Sequence, residues 1–535
     1  MKEAKLLIIT LILAFSSVAA ANREKPLANS GKSGLYAKSL DQVLRLREDE
    51  VDLATAALIV SENWSDMVYG RKYLAQLDDM AREIRDRLDK NRIPANYRAV
   101  PEINKYLFDE LKFDALSEAT DPNSLFLHTV LDKKLGYCLS LSILYLSVGE
   151  RLGLDLYGVV VPGHFFVRYD DGHVRFNIET TSKGGSATDE QYIEKFKVPK
   201  DKRNNIYMKN LNKIQTIGCF LNNLGNSYSD VGNTDKALSV LKKAIEINPS
   251  LSEARANLGN IYLKKGQINN AINEYMIALN INPSDAKTHN NLGNAYSDNG
   301  RTSMAVSEYM DAISLDPNFV DAYRNLAIAY CTQERFTLAV LKLNDAVDLD
   351  PDNANIYNQL GEVYLKMGKY SESIKQYQKA INIKSDMTEP YYGLALCYNK
   401  VGKISDEIAA YQKVLSLQPD NYAAMVNLGN VYFQQGKYTD AIELYKKAVK
   451  IQNNESTIYY NLGVAYANVK DYKQASEAYL KSIEIDPKLG DAHYGLAFCF
   501  YYLKQYDKAW EHIKIAQELG VKISAEQIEV IKRKL

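Results

Sequence analysis

The sequence predicts a mainly α-helical fold, an α-solenoid superhelix of nine helix pairs preceded by a smaller α+β domain. Three observations carry this reading. Proline returns at Pro249, Pro283, Pro317, Pro351, Pro419 and Pro487, always in steps of 34 or 68 residues, and a fixed period of that size marks a repeat architecture. Between Leu131 and Gly185 the helical pattern gives way to short apolar runs suited to strands. The chain has 535 residues, more than a single core usually accommodates, so two or more units are expected.

The first residues have the three parts of a secretory signal peptide: two lysines within Met1 to Lys5, an apolar run from Leu6 to Phe15, and the small residues Ser16 to Ala21. The apolar run is short of the ~20 residues that span a bilayer. Cleavage near Ala20 or Ala21 is therefore expected, with export to the periplasm or the cell exterior and no membrane span in the mature form. Residues 22–39 read as a flexible lead-in.

With 65 basic and 66 acidic residues, and no run of five or six like charges, the chain has no electrostatic handle for nucleic acid. Cys219, Cys331, Cys397 and Cys499 fall in different repeats, which argues against a disulfide framework. They read as small apolar fillers.

From Leu40 to Phe113 apolar residues recur at three and four, as in Tyr73, Leu77, Met80, Ile84 and Leu88, and this predicts three or four amphipathic helices. Next, Cys138 opens an apolar helix that closes at Gly153. Two strands follow, Leu156 to Val161 and His164 to Tyr169, and Asp171-Gly172 signals a hairpin before Val174 to Glu179. If that turn has two residues, paired positions sum to 343 and His164 faces Glu179. Asn177 shares their face and is the second candidate acid partner.

A thiol in the first turn of a helix gains from the backbone N–H groups there, which favour thiolate and can donate to an oxyanion. An imidazole held by a carboxylate keeps the tautomer that accepts the thiol proton. Cys138, His164 and Glu179 therefore suit the roles of nucleophile, base and orienting acid in acyl transfer through a thioester.

Gly-Tyr-Cys138 on a helix, Pro162-Gly163-His164-Phe165-Phe166-Val167-Arg168 on a strand and Asn177-Ile178-Glu179-Thr180 on the next resemble the bacterial transglutaminase-like superfamily over about 97–185. The resemblance implies a domain, within 40–200, that uses a Cys-His-Asp triad to cleave or transfer peptide or amide bonds. Glu179 stands where the family usually carries Asp. After Gly185, Thr188 with Gln191 caps a short helix, and residues 201–217 read as a linker.

In step with the prolines come glycines at Gly225, Gly259, Gly293, Gly361, Gly429 and Gly463, tyrosines such as Tyr262, Tyr296 and Tyr330, and alanines such as Ala237, Ala271 and Ala305. Small residues let two helices approach, a tyrosine fills the gap beside them, and proline ends the second helix. Ser385 and Asn453 replace the proline in two units. This pattern, over 218–523, resembles the tetratricopeptide repeat, which implies that the first helix of each unit lines a concave, partner-binding side. That helix carries Asn223, Asn257, Asn291, Asn325, Asn427 and Asn461, a ladder of amides able to pair with the main chain of an extended peptide. Ser524 with Gln527 forms a capping box, and a last helix over 524–535 shields the ninth repeat.

The remaining histidines, His289, His493 and His512 among them, fall in separate repeats without ligand spacing. No metal and no cofactor are expected. The first reading is an exported cysteine-dependent enzyme whose repeats hold a polypeptide. Its rival is a non-catalytic scaffold that keeps the transglutaminase-like fold.

Overall fold

Tyr73, Leu77, Met80, Ile84 and Leu88 form the buried face of helix Gly70–Lys90, as their three- and four-residue spacing requires. The computed structural model describes residues 26–116, 121–198 and 206–535, arranged in two compact units divided at Pro317. The expected signal peptide, 1–21, lies outside the described residues.

In the first unit, Gly70–Lys90 packs beside two apolar helices, Leu53–Trp64 and Cys138–Leu152. Asp52 caps the former by accepting from Thr55 N at 2.8 Å. Gly153, at φ 75°, ends the latter in the left-handed conformation that glycine adopts without strain. Residues 27–36, read as flexible from their polar composition, are in fact packed down. Leu27 is buried, Asn29 Nδ2 donates to Asp52 Oδ2 at 3.1 Å, and Lys32 Nζ donates to Glu150 at 2.7 Å.

Strands Leu156–Val161, His164–Asp170 and Arg175–Ile178 make an antiparallel sheet. Val161 pairs with His164 across the Pro162-Gly163 turn, where Gly163 takes φ 72°. The second turn is longer than the sequence suggests: Asp170 pairs with Arg175, so partners sum to 345. Asp171 Oδ1 accepts from both His173 N and Val174 N, at 2.9 and 2.7 Å, and this side-chain cap stabilises a four-residue loop over the two-residue turn. A shift of two keeps every side chain on its original face.

The segment read as a linker is partly structural. Ile206 and Tyr207 are buried, Leu211 bridges Gly158, and the first repeat helix already begins at Lys213. The first unit holds three helix pairs, from Lys213 to Leu315. The second holds six, from Val320 to Glu518, and then Ala525–Lys532, which Ser524 caps. Second helices end at Ile383 and Ile451 in the units that lack the proline, in phase with the rest.

The residue that fills the glycine notch differs from the tyrosines singled out in the sequence, of which Tyr262 is only half-buried. It is a tyrosine of the second helix. A Cβ on Gly259 would lie 2.6 Å from Tyr275, and one on Gly429 would lie 2.6 Å from Tyr445; both rings are fully buried. Glycine there admits the ring, and the ring locks the pair. Gly259→Ala should gain about 1 kcal/mol of helix propensity but lose roughly 1–3 kcal/mol to overpacking. Urea denaturation is expected to register a net loss, and unchanged or increased stability would contradict the contact.

Candidate active site

Cys138 is the first residue of its helix. Tyr137 N donates to Ser140 Oγ at 2.8 Å, which fixes the first turn, and Tyr137 OH donates to Asp121 O at 2.8 Å. N–H groups of a first turn have no partner within the helix, so they remain available to an anion. The thiol is half-buried. Ser142 Oγ, 3.0 Å from Thr180 Oγ1, ties this helix to the chain immediately after Glu179.

His164 Nε2 lies 2.7 Å from Glu179 Oε2. That leaves Nδ1 for the thiol of Cys138, which lines the same cleft. Glu179 is itself held: Oε1 accepts from Thr181 N at 3.1 Å and Thr181 Oγ1 at 2.6 Å, and Oε2 accepts from Tyr192 OH at 2.8 Å. Phe196 stacks on the His164 ring with centroids 4.7 Å apart and planes within 2°. Burial opposes a charge on His164, but the hydrogen bonds and charges of Cys138 and Glu179 outweigh it and lift the imidazole to about 9. Burial likewise opposes ionisation of Glu179, yet His164, Thr181 and Tyr192 hold its carboxyl at about 2. The structure thus brings together the three side chains that the sequence singled out.

Asn177, the alternative acid partner, is occupied elsewhere. Its Oδ1 accepts from Arg168 Nε at 2.8 Å, and its Nδ2 donates to Ala187 O and Asp189 Oδ1 at 2.9 and 2.8 Å. Thr181, Tyr192 and Phe196 were missed. The Thr188/Gln191 capping box announced the helix Asp189–Lys195, and its aromatic residues were the available signal.

Four amides of the asparagine ladder are bonded to the preceding repeat. Asn257 Nδ2 donates to Asn222 Oδ1 at 2.9 Å, Asn291 Nδ2 to Asn260 Oδ1 at 3.2 Å, Asn461 Nδ2 to Asn430 Oδ1 at 3.3 Å, and Asn427 Nδ2 to Tyr392 OH at 2.8 Å. Asn223 accepts from Asn222 at 3.3 Å, and Asn325 is half-buried. In the first unit a cleft of about 550 Å³ opens over Cys138, His164 and Phe196, and Asn223, Asn257 and Asn291 line it from the repeats.

All five cysteines are free thiols. Two histidine placements differ from the sequence reading. His493 and His512 share the ninth pair, their Nδ1 atoms 2.9 Å apart. His289 lies beside Glu308 and Asp311, but Glu308 at 2.7 Å and Pro283 O at 3.3 Å engage both its nitrogens, so it ties two helices together.

A family model described as "Transglutaminase-like superfamily" matches residues 71–218. Models described as "TPR repeat" and "Tetratricopeptide repeat" match segments from 225 to 489. Among curated proteins, the "UPF0162 protein" of Xylella fastidiosa is 30% identical over 162 residues, which is 28% of this chain and 57% of that protein. F-box only protein 21 of Mus musculus is 38% identical over 71 residues, 13% of this chain and 11% of that protein. The chain therefore spans little more than half the length of the first of these relatives. Of solved structures, MamA from Desulfovibrio magneticus is 23% identical with a TM-score of 0.30, covering 31% of this chain and 94% of that one. YrrB, described as a TPR protein with an unusual peptide-binding site, is 23% identical with a TM-score of 0.29, covering 34% and 92%.

The two shifted groups set a pH window. His164, raised from 6.5 to about 9, stabilises the fold fully below 6.5 and loses that contribution as pH rises through 9. Glu179, lowered from 4.5 to about 2, contributes fully above 4.5 and loses it as pH falls through 2. The melting temperature of Glu179→Gln should therefore fall furthest below that of the parent between pH 4.5 and 6.5, the gap narrowing on either side. A gap independent of pH would rule out the charged pair.

Proposed function

From a chain that carries a transglutaminase-like domain followed by tetratricopeptide repeats, we propose an enzyme that forms a thioester on Cys138 from the carbonyl of a peptide bond or side-chain amide in a bound polypeptide. The observation that carries this reading is the His164 imidazole, hydrogen-bonded to Glu179 through Nε2 and sharing one cleft with the Cys138 thiol. The thiol proton passes to His164 Nδ1, forming the imidazolium that Glu179 stabilises, and Sγ then attacks the carbonyl carbon. The oxyanion that develops faces the first-turn N–H groups of the helix. When the C–N bond breaks, His164 returns the proton to the departing amine, which leaves an acyl group on sulfur. Water then releases an acid, or a second amine takes the acyl group, with His164 accepting the proton of either nucleophile.

Glu179 keeps Nε2 as the protonated nitrogen and offsets the charge of the imidazolium. Phe196 covers one ring face and holds its plane. The repeats supply a polypeptide-binding surface. The composition of residues 1–21 supports export, so the reaction belongs on this reading in the periplasm or outside the cell.

The test uses the full chain with unfolded polypeptides and a fluorescent primary amine, scoring new chain ends and amine incorporation together. Cys138→Ala should abolish both products, and His164→Ala should slow them by roughly 10²–10⁴-fold. A parent protein that yields neither product, or a Cys138→Ala variant as active as the parent, would leave the scaffold reading in place.

A further inference from the structure

The thiol faces a cleft that the repeats help to line. Within the first unit, the cleft over Cys138 and His164 has residues of helices Lys213–Asp230, Ser252–Lys264 and Ala286–Asp298 as its opposite wall. The geometry points to these three helix pairs as the substrate-binding half of the active site, taking an extended stretch of polypeptide main chain and setting one of its carbonyls before Cys138. This deepens the thioester reading and rests on it for the chemistry, though not for the binding.

The wall is built of amides, and their internal bonds leave an alternating set of unused groups. Asn223 Oδ1 accepts from Asn222, which leaves Asn223 Nδ2 as a donor. Asn257 Nδ2 donates to Asn222, which leaves Asn257 Oδ1 as an acceptor. Asn260 Oδ1 accepts from Tyr275 OH at 2.6 Å and from Asn291 Nδ2 at 3.2 Å, so Asn260 keeps a donor and Asn291 an acceptor. An extended main chain offers C=O and N–H groups in alternation, and neutral amides meet both without reading side chains. Lys197 and Lys287 line the cleft together with Asp285 and Asp316, so no single sign of charge selects an acidic or a basic guest.

The wall is also fixed in place. Tyr207, which follows the sheet in sequence and is buried, donates to Glu253 Oε2 at 2.6 Å on helix Ser252–Lys264 and meets Ser252 Oγ at 2.7 Å. A wall held this way is preorganised, so little ordering opposes binding. Several weak amide contacts engaged together raise the effective concentration of the carbonyl at sulfur. A short amide gains none of this.

The test reads proximity rather than turnover, so it keeps its meaning whether or not Cys138 performs acyl transfer. The full chain is alkylated with chloroacetyl-capped random dodecapeptides and, separately, with chloroacetamide. Modification of Cys138 is quantified by mass spectrometry, and the ratio of the two rates is the readout. A ratio of about ten or more is expected for the parent protein, a gain of ~1.4 kcal/mol in proximity. It should fall toward one in Asn223→Leu/Asn257→Leu/Asn260→Leu. It should also fall in Asn226→Trp, which places bulk on the same wall at an exposed position and so guards against a folding defect in the triple variant. A parent ratio near one, or a high ratio that survives both variants, would overturn the assignment. Loss of acyl transfer with the ratio intact would instead remove the thioester reading alone.

Discussion

The apolar contact between the front domain and the first helix pair decides where the thiol faces. Trp64 lies between Phe126, at 4.8 Å, and Tyr228 of the first repeat, at 4.9 Å, while Phe126 meets Phe220 edge-on at 6.4 Å. These rings belong to one hydrophobic core that runs from Leu27 to Ile261. A buried aromatic side chain removes roughly 150–250 Å² from water, an upper limit of about 4–6 kcal/mol at ~25 cal/mol per Å². That exceeds the ~1–2 kcal/mol needed to order one residue's backbone. The repeats therefore start as a continuation of the core instead of hanging from a tether, and the cleft has two walls because of it.

Polar groups fix what the apolar seam brings together. Glu150, in the last turn of the helix that starts at Cys138, accepts from Lys32 at 2.7 Å, from Lys213 at 2.6 Å and from Leu53 N at 3.2 Å. One carboxylate thus joins the lead-in, the apolar helix and the first repeat. Burial lowers the Lys213 ammonium, Glu150 opposing it. Lys32, where burial also disfavours charge, is nonetheless raised by the same carboxylate. Arg151, fully buried beside Glu150, reaches Asp78 at 2.7 Å and Asp52 at 3.6 Å. Removing one partner from such a buried set strands a charge, and this costs more than the pair contributes. The opposite end of that helix is consequently held while Cys138 meets the cleft.

Period was the part of the fold most legible in sequence. Proline, glycine and alanine returning at one interval placed every helix pair, because small residues mark close approach wherever they fall. The helix and hairpin around Cys138 and His164 were legible for a related reason, since apolar runs bounded by glycine leave few alternatives. Contacts between segments distant in sequence were not. Phe196 covers His164 from a separate helix, and Tyr275 occupies the notch of Gly259 from the second helix of the pair. Neither contact leaves a local periodic trace. The lead-in failed for another reason: its polar side chains read as solvated, and only the fold reveals that Asn29 and Lys32 have partners waiting.

The length of the second turn decides how far the side chain at 179 has to reach. The four-residue loop moves the register by two, so the strand's continuation would set Glu179 beside Phe166, with His164 one diagonal step away. Diagonal neighbours in an antiparallel pair stand roughly 7–8 Å apart, against about 5 Å for residues directly opposite. A longer side chain suits that gap. Glu179 reaches Nε2 at 2.7 Å while Thr181 and Tyr192 hold both its oxygens. An aspartate on the same backbone would have to choose between the imidazole and Thr181. The cap supplied by Asp171, the register it sets and the reach of the Glu179 side chain are therefore one geometric solution to orienting the imidazole.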